Sequence, residues 1–420
     1  MEARYRSTLW ACCFANFFQA VGSCFAILYV PLRGLYGLSF TDFGILVSLN
    51  FITQVASDVL FSKPVEKYGF RPFAVAAPLV SAAGLGLFAA APLLFPRRPF
   101  AGFCAGMFLF AAAGGLQELL LSPILDALPI PEERKARSMS MLHSFFAWGQ
   151  IFVVLATTGL LAVWGAARWQ WIVLLWAAPP VAGAVLFCRV PLARKNGGAP
   201  PLPLRALARK GVFYALLAAI VLGGAAEVTM AQWASAFLEK GLQLPKLAGD
   251  VWGVCFFSLM LALGRSGYAA LGARVPLHRL LIGGSGAAAV LYVVCALAQS
   301  PLLGVLACGL TGLCVSLLWP GAIILASRRI PSAGAAMFAL LSAGGDVGAS
   351  LGAFCVGRAA DWAQASGTVF AGAAGESGAL RAGLLLAAVF PLLCCGVHTA
   401  LHCSEARAGL PAGSERRRRQ

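Results

Sequence analysis

Long apolar stretches recur along the chain, and short polar or basic segments separate them. Leu, Ile, Phe and Ala fill these stretches, without the strict apolar–polar alternation of a barrel strand. A hydrocarbon core of about 30 Å needs about 20 apolar residues in helical form. The pattern therefore predicts twelve membrane-spanning helices, over residues 8–31, 40–62, 72–95, 100–126, 138–164, 169–189, 212–238, 250–273, 277–299, 301–327, 333–357 and 379–402. The expected fold class is an all-α membrane protein with two pseudo-symmetric six-helix bundles, over residues 1–189 and 212–403. Residues 190–211, basic and rich in Pro and Gly, read as a cytoplasmic linker, and 404–420 as a basic cytoplasmic tail.

Composition supports the membrane assignment. Of 420 residues, 60% are hydrophobic and 11% charged, against roughly half and a quarter in a soluble domain. The net charge of +16 raises nucleic acid as a partner, but its placement argues against that. Basic residues crowd at alternate span ends: Arg4 and Arg6; Lys63, Lys67 and Arg71; Arg134, Lys135 and Arg137; Arg189 through Lys210; Arg274 and Arg279; Arg328 and Arg329. Opposite ends hold few, among them Arg33, Arg168 and Arg381. By the positive-inside rule both termini are cytoplasmic, and Arg416–Arg419 reads as an anchor near anionic headgroups. The first span is too long for a cleavable signal peptide and lacks a convincing cleavage site.

The chain also limits its chemistry. Most of its thirteen Cys lie within spans and read as small, reduced packing residues; the four His are scattered, so no metal site is expected. A P-loop is absent, and Gly283-Gly284-Ser285-Gly286 lies in an apolar span with no strand before it. No enzyme activity and no cofactor are expected.

One sequence frame repeats. Gly115-Leu116-Gln117-Glu118-Leu119-Leu120-Leu121-Ser122-Pro123 shares Gly-Leu-x-x-x-Leu-Leu-x-Pro with Gly312 to Pro320, and only the first copy carries an acid. Further along, Gly149 pairs with Gly345 and sets Gln150 against Asp346. Asp58 and Arg265 each precede a basic residue, Lys67 and Arg274, by the same interval. Internal similarity of the two halves is a parallel-repeat signature of transporters.

A carboxylate inside a span is costly and marks an ion or solute path by default, which makes Glu118 the first candidate, as a proton-coupling group. Glu227 could accept hydroxyl hydrogen bonds from a solute or bond a neighbouring helix. Asp346 is a mid-span acid beside two glycines, a position that fits a cavity wall. Asn16, Gln19, Gln54, Gln117 and Gln150 could line a polar cavity or bridge helices. Asp58 and Arg265 read as gating or structural groups, and Arg265 requires an acidic or carbonyl partner. Trp233 reads as an outer-interface residue, and His143 as a helix-end residue.

Ser62-Lys63-Pro64-Val65-Glu66-Lys67-Tyr68-Gly69-Phe70-Arg71 resembles the loop signature G-x-x-x-D/E-R/K-x-G-x-R/K of the major facilitator superfamily, with Ser62 in place of the leading Gly. Three stretches resemble fucose permease and related sugar:proton symporters: Gly115–Pro123, His143–Gly149, and Gly223–Glu227 with Trp233 and Gly264-Arg265. The resemblance implies the major facilitator fold and a secondary transporter of a small polar solute, such as a sugar. It also implies alternating access driven by H⁺ rather than Na⁺, with Glu118 matching the group's proton-coupling acid. Glu66, Lys67, Gly69 and Arg71 would act on conformational balance. A monomer in a plasma membrane, such as a bacterial inner membrane, follows from the same likeness. That group's second acid, in helix 1, has no match between Asn16 and Cys24. An exporter on the same fold and a non-transporting membrane sensor are the alternative expectations.

Overall fold

Twelve helices among the described residues are long and apolar enough to cross a membrane. They are α1 (Tyr5–Tyr36), α2 (Phe40–Phe61), α3 (Phe70–Leu94), α4 (Pro99–Leu125), α5 (Phe145–Trp164), α6 (Ala166–Arg189), α7 (Gly211–Gly241), α8 (Lys246–Tyr268), α9 (Leu277–Leu297), α10 (Pro301–Ala326), α11 (Leu340–Ala365) and α12 (Gly375–Ser404). The structure is a computed structural model that describes residues 3–128, 132–192, 207, 209–271, 276–330 and 334–407. Most of the expected linker and tail lies outside those residues. An isolated bridge between Phe370 and Ala373 is the only β pairing among them.

Local chemistry sets the helix ends. Gly37, at φ +66°, ends α1 in a left-handed cap. The Ser39 hydroxyl accepts from the Asp42 N–H at 2.9 Å, and the Asp42 carboxylate accepts from the Ser39 N–H at 2.8 Å, which opens α2 with a capping box. Gly69, at φ +82°, makes the turn into α3. α7 ends in a π-helical turn, Phe237–Gly241, and α8 has another, Asp250–Cys255, after its first turn. α10 is broken between Val315 and Leu318. α11 runs past its expected apolar window to Ala365, carrying Arg358, Asp361 and Gln364.

The chain forms two compact units, Met1–Ala199 and Pro200–Gln420. Within each unit helices cross at glycines. In the first, Gly149 of α5 meets the Phe17 carbonyl of α1, and a Cβ on Gly115 of α4 would lie 2.6 Å from the Gln54 carbonyl oxygen of α2. In the second, Gly348 of α11 meets the Val221 carbonyl of α7, and Gly312 of α10 meets the Phe257 carbonyl of α8. Burial in lipid gives helices little hydrophobic reason to associate, so close backbone approach at small residues supplies the packing.

These crossings correct the register read from sequence. Gly149 corresponds to Gly348, not Gly345, because a Cβ on either would run into a carbonyl oxygen of its unit's first helix, whereas one on Gly345 would meet the Trp319 ring. Gln54 corresponds to Phe257, which places Leu261 at the position of Asp58; Arg265 lies one turn further on. The sequence pairing slipped by about a turn because apolar residues repeat at helical spacing and do not fix a unique alignment.

Candidate functional site

In the first unit, the crossing of Gln54 and Gly115 sets the polar geometry. α2 carries Asp58 one turn beyond Gln54, and α4 carries Glu118 about one turn beyond Gly115. The two carboxylates are close enough for their charges to repel. The Glu118 side chain is exposed. Asp58 is half-buried, and its Oδ1 is covered and has no hydrogen-bond partner.

The amides nearby are mostly engaged with backbone. Asn16 is buried and its Nδ2 donates to the Leu142 carbonyl at 2.8 Å. Gln117 Nε2 donates to the Ala15 carbonyl at 2.9 Å and lies 3.5 Å from Gln19 Oε1. Asn16 and Gln117 are therefore helix bridges, and they hold α1 to the helical turn that leads into α5 and to α4. Gln54, Gln19 and Gln150 are each half-buried.

The loop signature divides. Arg71 Nη1 donates to the carbonyls of Phe187 at 3.2 Å and Cys188 at 2.7 Å, and Nη2 to Val190 at 2.9 Å. Those groups sit at the end of α6, where carbonyls lack intrahelical donors. Lys67 is exposed, with Nζ 5.1 Å from the Tyr68 ring centroid. The side chains of Glu66 and His143 fall outside the described residues.

The second unit holds a membrane-embedded ion pair. Arg265 Nη2 of α8 donates to Glu227 Oε1 of α7 at 2.7 Å, and Arg265 Nε donates to the Ser316 carbonyl of α10 at 3.1 Å. The second contact originates in sequence. Pro320 has no N–H, so the Ser316 carbonyl lacks the donor that residue i+4 supplies in a helix. The break in α10 exposes that carbonyl, and Arg265 takes it. Arg265 thus meets both the acid and the carbonyl that an intramembrane cation requires.

The expectation for Trp233 changes. Trp233 is fully buried, and its Nε1 donates to the Ala353 carbonyl of α11 at 3.3 Å, so it is a seam residue rather than an interface belt residue. Asp346 is only 7% exposed, between Gly345 and Gly348 in the α7–α11 seam. The histidines are less scattered than they read: the rings of His278 and His402 stack with centroids 3.9 Å apart. Among the described residues no group of three His, Cys, Asp or Glu side chains could hold a metal ion.

Sequence reasoning missed Arg381. It is 4% exposed, and its guanidinium donates to the carbonyls of Gly241 and Ala296 at 3.2 Å each, and to that of Ala298. It also missed the buried Asp250, which binds Ser235 and Lys246 at the π-helical turns.

Twelve apolar helices, with acids and an arginine inside their spans, define a multi-pass membrane protein of transporter architecture. The family model of the Major Facilitator Superfamily matches residues 9–353, and the chain belongs to that superfamily. Solved structures share the fold at low identity. A bacterial homolog of the human lysosomal transporter Spinster, inward-facing and occupied, aligns with TM-score 0.75 at 12% identity, over 95% of this chain and 97% of its own. A D-xylose–proton symporter aligns at 0.72 and 16% identity, covering 93% and 97%. The nucleoside transporter NupG aligns at 0.70 and 13%, covering 94% and 98%. No curated protein matches the sequence.

Proposed function

We propose that this chain is a secondary active transporter that moves a small polar solute, a sugar or related metabolite, by proton-coupled alternating access. The observation that carries the reading is the exposed Glu118 carboxylate, set against Asp58 where α2 and α4 cross at Gly115. A carboxylate in a span is retained when it serves an ion path. Sugar and proton enter from the helix-4, helix-5 and helix-7/8 stretches that resemble the fucose permease group, and from a xylose–proton symporter that shares the fold. Both termini cytoplasmic, a bacterial inner membrane, a monomeric state and H⁺ rather than Na⁺ complete the reading.

Vesicle uptake under an imposed pH gradient tests it. Gln copies the shape of a protonated Glu and cannot titrate. Glu118→Gln should keep substrate binding and counterflow exchange and lose gradient-driven accumulation. Glu118→Asp should keep part of the activity with a shifted pH profile. Accumulation by the Gln variant at the wild-type level would remove Glu118 from the proton path.

A further inference from the structure

The Glu227–Arg265 pair is built with spare capacity on both sides. Arg265 uses Nε and Nη2, while Nη1 has no partner among the described residues, and its side chain is 40% exposed. A guanidinium facing hydrocarbon costs several kcal/mol, so the open edge faces water. On the other side, Glu227 Oε2 is covered and lacks a hydrogen-bond partner. An ion pair formed for packing alone would satisfy both ends.

The groups around Glu227 leave Arg265 as its charged neighbour. From α9 the Tyr292 hydroxyl donates to the Ala226 carbonyl at 2.7 Å. α10 offers the Ser316 carbonyl, already held by Arg265. On α11, Asp346 is buried beside Gly345, which packs on Gly224, about one turn before Glu227. α12 meets α7 at Cys394 and Ala219, further back along the helix.

We propose that Glu227 and Arg265 form a proton-switched anion site: a proton taken up by Glu227 releases the Nη1–Nη2 edge of Arg265 to bind a carboxylate of the solute. The charge count explains the switch. Glu227 and Arg265 sum to zero as a pair. A proton from water bonds to the Glu227 carboxylate and leaves Arg265 positive, and the solute carboxylate restores zero. An intramembrane charge persists when paired, so each carboxylate bound at Arg265 is accompanied by one proton held on Glu227. The planar fork of Arg donates to both carboxylate oxygens. The proposal rests on the transporter reading and narrows its solute to an organic acid, with a sugar acid the nearest fit.

Purified full-length protein is titrated with paired probes, glucuronate against glucose and lactate against propanediol, with binding followed by ligand-induced thermal shift. A single linked proton changes affinity by up to about tenfold per pH unit. Between about pH 8 and pH 5.5, at least one carboxylate should tighten by about tenfold or more on wild type, while its neutral partner stays flat. Glu227→Gln should bind that carboxylate equally at both pH values. Arg265→Lys keeps the charge without the fork and should weaken binding about tenfold at low pH. Affinity that does not change with pH in wild type, equal preference for the neutral probes, or no carboxylate binding overturns the anion site. The titrations use no gradient, so they fail or succeed independently of the Glu118 vesicle assay.

Discussion

Arg71, Arg329 and Arg381 each reach carbonyls far away in sequence. Arg71 holds the end of α6, and Arg329 Nη2 donates to the Leu401 carbonyl of α12 at 2.8 Å. Arg381 joins the ends of α7 and α9 through Gly241, Ala296 and Ala298. Helix C-termini leave four carbonyls without donors and carry partial negative charge, so a guanidinium there meets several needs with one planar group. Arg381→Ala would strand these carbonyls in a covered site. Each stranded buried acceptor costs about 1–3 kcal/mol, and thermal unfolding should begin several degrees lower. Arg381→Lys should recover only part, since one ammonium cannot span the three carbonyls. A melting curve unchanged by Arg381→Ala would show the staple to be idle. The sequence displays these arginines plainly and conceals their partners, because a basic residue at a span end reads equally well as a topology signal. Glu118 was legible because an acid in an apolar run is conspicuous alone. The Arg265–Glu227 pair was not, because its members lie on different helices and neither one names the other.

At the scale of the helix, the repeated glycine crossings hold each unit together. Gly149 and Gly159 lie on the same helix, yet a Cβ at Gly149 collides with the backbone of Phe17, while one at Gly159 meets nothing within 4 Å. Gly149→Val should therefore force α1 and α5 apart, at about 1–3 kcal/mol or more. The yield of monodisperse protein and the melting temperature should fall well below those of Gly159→Val. Equal behaviour of the two variants would refute the crossing. The positions of the helices were legible from apolar length, and the duplication from the shared Gly-Leu-x-x-x-Leu-Leu-x-Pro frame. The register between the halves was not, since it depends on which backbone each glycine touches. The break in α10 had a signal that the sequence reading passed over, namely Pro320 four residues after Ser316.

At the scale of the whole molecule, the fold is that of the Major Facilitator Superfamily, and the proposed orientation is open to a labelling test. Cys188 near the end of α6 and Cys403 near the end of α12 are the exposed cysteines among the described residues, one in each unit. In the orientation proposed above, both ends face the cytoplasm. A membrane-impermeant maleimide should leave both thiols unmodified in intact cells and react with both in inverted vesicles. Strong labelling from outside would reverse the topology. The other cysteines are buried or half-buried, so the unaltered sequence already carries one dye attachment point per half. Donor and acceptor fluorophores on these two native thiols make a molecular ruler. Changes in energy transfer as solute and protons are added would report the working cycle without a single engineered residue.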